Sequence, residues 1–195
     1  MTFQTRMITG AELLSHLESL ADLRLSIFCE FPYLYQGDKG HEMEYLKVYA
    51  ESPDAMVIME WEGDAVAGAV TGVPLASESA EFTAGFSGTA YPVEKGYYIG
   101  ELLFHRQFRG GGRGSVLLEQ AEAHIRSLNR FSYLTCATVV RPETHPMRPS
   151  DFVPIERFLR HHAYARMDGV VTMMQWPELG GASLEHAMQF WVKEL

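Results

Sequence analysis

The chain has 195 residues, nearly half of them apolar, with a formal net charge of −9. That length and composition suit one soluble globular domain and exclude a disordered chain. The acidic balance argues against nucleic acid, whose phosphates are bound by Lys and Arg.

Two cysteines, Cys29 and Cys136, have no C-x-x-C neighbour and make a poor disulfide framework, which fits a reducing cytoplasm. The N-terminus, MTFQTRMITGAELL, lacks the pattern of a signal peptide. No run of about 18 apolar residues suggests a membrane span.

Residues 4–8 alternate weakly and predict a short strand. Thr9 and Glu12 then match a capping box, with Leu13, Leu17, Leu20 and Ile27 behind them on one helical face. That helix should stop before Pro32. FPYLYQGDKG reads as an aromatic loop, and a second helix is expected from His41 to Glu51.

AMVIMEW and AVAGAVTGV, joined at Glu62-Gly63-Asp64, predict an antiparallel hairpin. Residues 76–95 read as a long acidic loop, and GYYIGELLFH as a strand. SVLLEQAEAHIRSL has helical spacing, with Leu117, Ala121, Ile125 and Leu128 on one face. FSYLTCATVV predicts a buried strand. Four prolines make Arg141 to Pro154 irregular, and Pro154 to His162 suggests a short helix. Asp168-Gly169 looks like a tight turn between two further strands, the second being VVTMMQW. One mixed sheet of about seven strands, flanked by helices on both faces, is the economical α/β (α+β) packing.

The segment FRGGGRGS, Phe108 to Ser115, lies between a predicted strand and a predicted helix. Glycine costs backbone entropy on folding, so four glycines together imply a use for bare main chain. The first turn of a helix has unpaired N–H groups and a partial positive charge, which makes an anion site. Arg109 and Arg113 add charge nearby. A Walker pattern fails for want of Lys before Ser115. The G-x-G-x-x-G fingerprint fails because Leu117 takes its sixth position. An RGG-type RNA segment would be basic and disordered. A glycine-rich turn without a ligand is the plain alternative.

Arg109, Gly112 and Gly114 fit the pattern Arg-x-x-Gly-x-Gly and, with the flanking strand and Leu-rich helix, resemble motif A of the GNAT superfamily of N-acetyltransferases. The likeness is specific over residues 97–125 and looser over 155–176. It implies a single GNAT-like domain over residues 1–195, with acetyl-CoA as cofactor. It implies that the main chain of Leu102, Leu103 and Phe104 binds the pantetheine arm. Gly110, Gly111, Gly112, Gly114 and Ser115, with Arg109 and Arg113, would hold the diphosphate. EFPYLYQGD, VVRPETHPMRPSDFVP and MQFWVKEL look like a bacterial subgroup related to the acetyltransferase part of some nitrilase fusions.

The resemblance also implies an acidic general base near Glu101, with His105 a second candidate. Where many members carry a Tyr near the departing sulfur, this chain has Leu159. Tyr164, Cys136 or a histidine from the neighbouring loop are the candidate substitutes. His161-His162 has no third ligand at metal spacing, so both are expected to be partly exposed helix residues, and no metal is expected. The loop with Phe31, Tyr33, Tyr35 and Asp38 offers an aromatic wall with one anionic end for an ammonium. Arg141, His145 and Arg148 are candidates for an acceptor carboxylate, or for contacts with the cofactor's adenosine phosphate. Both sets together imply an amino-acid-like small amine. The rival readings are a coenzyme A-binding module without efficient catalysis and a protein N-acetyltransferase. No nucleic acid or membrane partner is expected; a homodimer is left open.

Overall fold

The computed structural model describes residues 2–195. Its strands are β1 (Phe3–Ile8), β2 (Met56–Glu62), β3 (Ala65–Pro74), β4 (Gly96–Phe104), β5 (Tyr133–Val139), β6 (Ala165–Pro177) and β7 (Ser183–Glu194). Its helices are α1 (Leu17–Phe28), α2 (Lys39–Glu51), α3 (Ala80–Thr83), α4 (Arg113–Ser127) and α5 (Glu156–His161). The strands form one seven-stranded sheet in the order β1-β2-β3-β4-β5-β7-β6. All neighbours are antiparallel except β4 and β5, which run parallel.

The sheet buries a different set of side chains on each face. Leu17, Leu20 and Leu23 of α1 and Leu46 and Tyr49 of α2 pack with Val57, Ala69 and Leu103 on one side. Leu117, Leu118, Ala121 and Ile125 of α4 pack with Ile58, Val70 and Phe104 on the other. This is the arrangement that the helical and alternating periodicities demand. Phe82 and Phe86, from the 76–95 segment, insert edge-on against Phe190 at ring separations of 5.1 and 4.8 Å. That segment is therefore partly ordered around the short helix α3 rather than a plain loop.

Two local expectations are corrected. Thr9 makes no side-chain cap, and Gly10 to Ser15 form a 3-10 turn before α1 begins. The reason is local: Gly10 takes φ +56°, and Glu12 turns back to Arg6 at 3.2 Å, so the reciprocal box never forms. Asp168-Gly169 is not a turn between strands but an irregularity inside β6. Gln189 of β7 holds it, donating to the carbonyls of Met167 (2.7 Å) and Val170 (3.2 Å). The last hairpin turns instead through Gly180 and Gly181, both at positive φ.

The site is set by how β4 leaves β5. The two strands pair only from Gly96 to Tyr98 and from Tyr133 to Thr135, then diverge. An irregularity opposite Thr71–Gly72 places Gly100 as an extra residue in β4. It reverses the side-chain parity of the strand: Tyr97 and Ile99 join the α4 face before it, and Leu102 and Phe104 join the same face after it.

Candidate active site

The divergence opens a cleft of about 910 Å³. Its floor is β4 from Ile99 to Phe104, one wall is β5 from Cys136 to Val139, and its far end is the glycine loop. The His105 N–H donates to the Ala67 carbonyl of β3 at 3.0 Å. Successive residues of an antiparallel strand present their peptide groups to opposite edges. Leu103 therefore turns its N–H and C=O to β3, whereas Leu102 and Phe104 turn theirs to the cleft. Leu103, expected among the pantetheine-binding residues, contributes no free main-chain group there. The Phe104 carbonyl is taken by Arg109 Nε at 2.9 Å. The N–H and C=O of Leu102 and the N–H of Phe104 are left for an extended ligand.

Gly110, Gly111 and Gly112 have φ of +97°, +60° and +77°, a run that a Cβ would strain. A Cβ added to any of them meets no atom within 4 Å, so the loop lies bare. Among the described residues, the amides of Gly110, Gly111, Gly112, Gly114 and Ser115 donate to no protein acceptor, while Arg113 and Val116 close the turn onto Gly110 and Gly112. Gly112 caps α4 without a side-chain bond. Unpaired N–H groups converging at a helix start fit a diphosphate. A Cβ added to Gly114 would meet the Phe158 ring of α5 at 3.7 Å, so this glycine faces α5 rather than open space.

The arginines of this segment are engaged with protein. Arg109 pairs with Glu30 at 2.9 Å. Arg113 turns under the sheet to buried Glu60 at 2.6 Å and lies over the Phe3 ring, so its side chain does not supply the loop with free charge. Ser115 Oγ meets His162 Nε2 at 2.8 Å. His162 is buried, not partly exposed as its sequence context suggested, and burial holds its pKa below the ordinary value. The sequence drew attention to it only as half of His161-His162, not as a partner of Ser115.

Glu101 lines the cleft and is buried at 9% exposure. Its Oε1 is ion-paired with Arg24 Nη1, and its Oε2 is buried without a hydrogen-bond partner. Arg24 in turn bonds Glu42 through Nε at 2.5 Å, and Glu42 accepts from the Tyr35 hydroxyl at 2.7 Å. The α1–α2–β4 junction thus buries two carboxylates around one guanidinium. His105 lies outside the cleft and meets Ser26 at 3.2 Å.

The expected acceptor residues separate into two groups. Tyr33 lines the cleft, and burial pushes its phenol up to about 12. Phe31 lines it too, with Phe152 edge-on at 4.7 Å. Arg148 remains at the rim over Phe152. Three others lie outside the cleft, and a fourth, Arg141, lines it with its side chain already engaged by protein. Tyr35 serves Glu42; Asp38 caps α2 by accepting from the His41 N–H at 3.0 Å; the His145 ring accepts from the Met147 N–H. Arg141 binds the carbonyls of Pro32 (2.7 Å) and Tyr33 (3.0 Å) and pairs with Glu178, so it fastens the aromatic loop at the cleft wall.

Leu159 is buried and lines the cleft where the acid was sought. Tyr164 donates to Glu122 at 3.2 Å, and burial pushes the Cys136 thiol up to about 12. Among the described residues no cluster of His, Cys, Asp and Glu fits a metal. Among the described residues no helix is long and apolar enough to cross a membrane.

A sheet split between its two parallel neighbours, with a glycine-rich helix start at its end, is the layout of an acetyltransferase fold. The chain belongs to the acetyltransferase (GNAT) family, whose profile matches residues 12–147. No curated protein matches the chain. Solved structures match it over nearly its whole length. An acetyltransferase of Thermus thermophilus has TM-score 0.61 and 12% identity, covering 100% of this chain and 98% of that one. Arabidopsis thaliana NAA60, solved with a bisubstrate analogue, has TM-score 0.61 and 15% identity, covering 99% and 98%. The yncA protein of Salmonella typhimurium, solved with its cofactor acetyl-CoA, has TM-score 0.58 and 13% identity, covering 99% and 94%.

Proposed function

We propose that the protein transfers an acetyl group from acetyl-CoA to the amine of a small molecule bound between β4 and the Phe31–Tyr33 loop. The observation that carries this reading is the set of unengaged amides of Gly110, Gly111, Gly112, Gly114 and Ser115, together with the N–H groups of Leu102 and Phe104 that face the cleft. Acetyl-CoA supplies a thioester carbonyl to an amine.

The chain's own residues bind, orient and move a proton. The amides at the α4 start bind the diphosphate, with Ser115 beside them. Leu102 and Phe104 align the pantetheine arm along β4. Alignment of two reactants contributes as much as about 7–11 kcal/mol in favourable cases. Glu101 takes the proton of the acceptor ammonium, directly or through one water, because it is the carboxylate on the cleft floor. Leu159 offers no acid. The protonated groups lining the cleft are the Tyr33 and Tyr164 hydroxyls and the Cys136 thiol, all raised by burial.

Leu159 also favours a second reading, a coenzyme A-binding module with weak catalysis. Calorimetry with coenzyme A and thiol release over a panel of amines separate the two. Binding together with release for at least one amine supports the enzyme. Binding without release for any amine supports the module, and absence of binding removes both.

A further inference from the structure

We infer that the acceptor is a primary amine on a flat apolar body, an arylalkylamine in chemical type, and not an α-amino acid. The inference rests on reading the cleft as the acetyl-transfer site and names its substrate class.

Three observations converge. The first is charge. Arg24 is shared between Glu101 and Glu42, so the buried junction formally carries one negative charge in excess. The unpartnered Oε2 belongs to the member that lines the cleft. An uncompensated buried carboxylate oxygen is costly, and an ammonium donor relieves it.

The second is shape. Phe28, Phe31, Pro32 and Tyr33 line the cleft, with Phe28 and Tyr33 at a ring separation of 4.7 Å. Phe152 closes on Phe31 from the opposite loop. Flat aromatic surfaces bury a ring well and attract the cationic head beside it.

The third is the loss of a carboxylate receptor near the amine. Of the cations suggested by sequence, Arg141 is committed to two carbonyls and Glu178. Arg24 is committed to two carboxylates. Arg148 stands over Phe152, on the loop beyond the aromatic wall rather than on β4. An α-amino acid carries its carboxylate on the same carbon as its amine. With the amine at Glu101, that carboxylate faces the excess negative charge, while Arg24 and Arg141 are already paired with Glu101, Glu42 and Glu178.

The test compares tyramine, tyrosine, tyrosine amide and n-butylamine as acceptors for acetyl-CoA, reading kcat/KM. Binding of tyramine and tyrosine to the coenzyme A-loaded protein is measured by calorimetry in parallel. Tyramine should exceed tyrosine by at least about tenfold, the minimum expected from one poorly screened like-charge contact. Tyrosine amide should recover most of the difference, and n-butylamine should fall well below tyramine. Tyr33→Leu should raise KM for tyramine while leaving coenzyme A affinity unchanged. Tyrosine equal to or better than tyramine overturns the inference, as does n-butylamine equal to tyramine, while either leaves acetyl transfer standing. If no amine releases thiol, transfer fails, and the calorimetric preference still decides the class: tighter tyramine sustains it, and tyramine no tighter than tyrosine removes it.

Discussion

Arg24 of α1 and Glu101 of β4 form an ion pair at the cleft floor, and both side chains are more than nine-tenths buried. Glu42 completes the group from α2, so three elements that meet nowhere in sequence are held at one charge centre. Removing the guanidinium would leave two carboxylates facing each other without compensation. Arg24→Met should therefore destabilise the fold by about 3–5 kcal/mol, measured by urea unfolding. Glu101→Gln keeps the shape and leaves Glu42 as Arg24's partner. It should cost much less stability but lower kcat by about a hundredfold or more, with coenzyme A binding retained. Equal losses of stability in the two variants would contradict the asymmetry.

The glycine loop makes a separate prediction. Gly112 caps α4 at φ +77°, in a conformation that costs an ordinary residue about 1–3 kcal/mol. Its Cβ would project into open space, so packing gives nothing back. Gly112→Ala should lower coenzyme A affinity about tenfold or more, the value of one lost hydrogen bond to a charged group. Isothermal calorimetry checks it. Unchanged affinity would mean that these amides do not hold the diphosphate.

How much of this is legible in the chain depends on distance along it. The glycine loop is a local pattern, open to direct reading, whereas the roles expected at Glu101 and Leu159 come from the family resemblance. The partners of Glu101 are not, because Arg24 and Glu42 sit on other elements and carry no motif. Arg141 and Asp38 point to a ligand in the sequence because their chemistry suits one. The structure gives their charges nearer uses, a loop tie and a helix cap. An Asp directly before a helix is itself a capping signal, which the expectation of a later helix start conceals. Thr9 shows the reverse case, where a correct capping pattern is overridden by the left-handed Gly10 beside it.

Arg141 tests that reassignment. It fastens Pro32 and Tyr33 to the β6–β7 hairpin through Glu178. Arg141→Ala should lower Tm by several degrees, in line with about 2–3 kcal/mol for a buried charged network in a domain of this size. It should leave the ratio of kcat/KM between tyramine and tyrosine unchanged, because its guanidinium is already taken by two carbonyls and Glu178. A change in that ratio with unaltered Tm would restore Arg141 as an acceptor contact.

His162 and His186 give the protein a pH dependence of definite sign. Both are buried, and burial lowers both pKa values from the ordinary 6.5. The unfolded chain then binds protons that the folded chain refuses, so stability falls as pH falls. The contribution is full above the unfolded value near 6.5 and is lost as acidification proceeds through the lower folded values. His162→Gln should flatten part of the decline in Tm between about pH 7 and about pH 5. Its amide can still reach Ser115 Oγ, now 2.8 Å from the imidazole, so coenzyme A affinity near neutral pH should change little. His162→Ala should weaken that affinity several-fold by releasing Ser115 from its place beside the loop amides. Equal coenzyme A affinities for the two variants would show that the Ser115–His162 bond supports the fold and not the diphosphate grip.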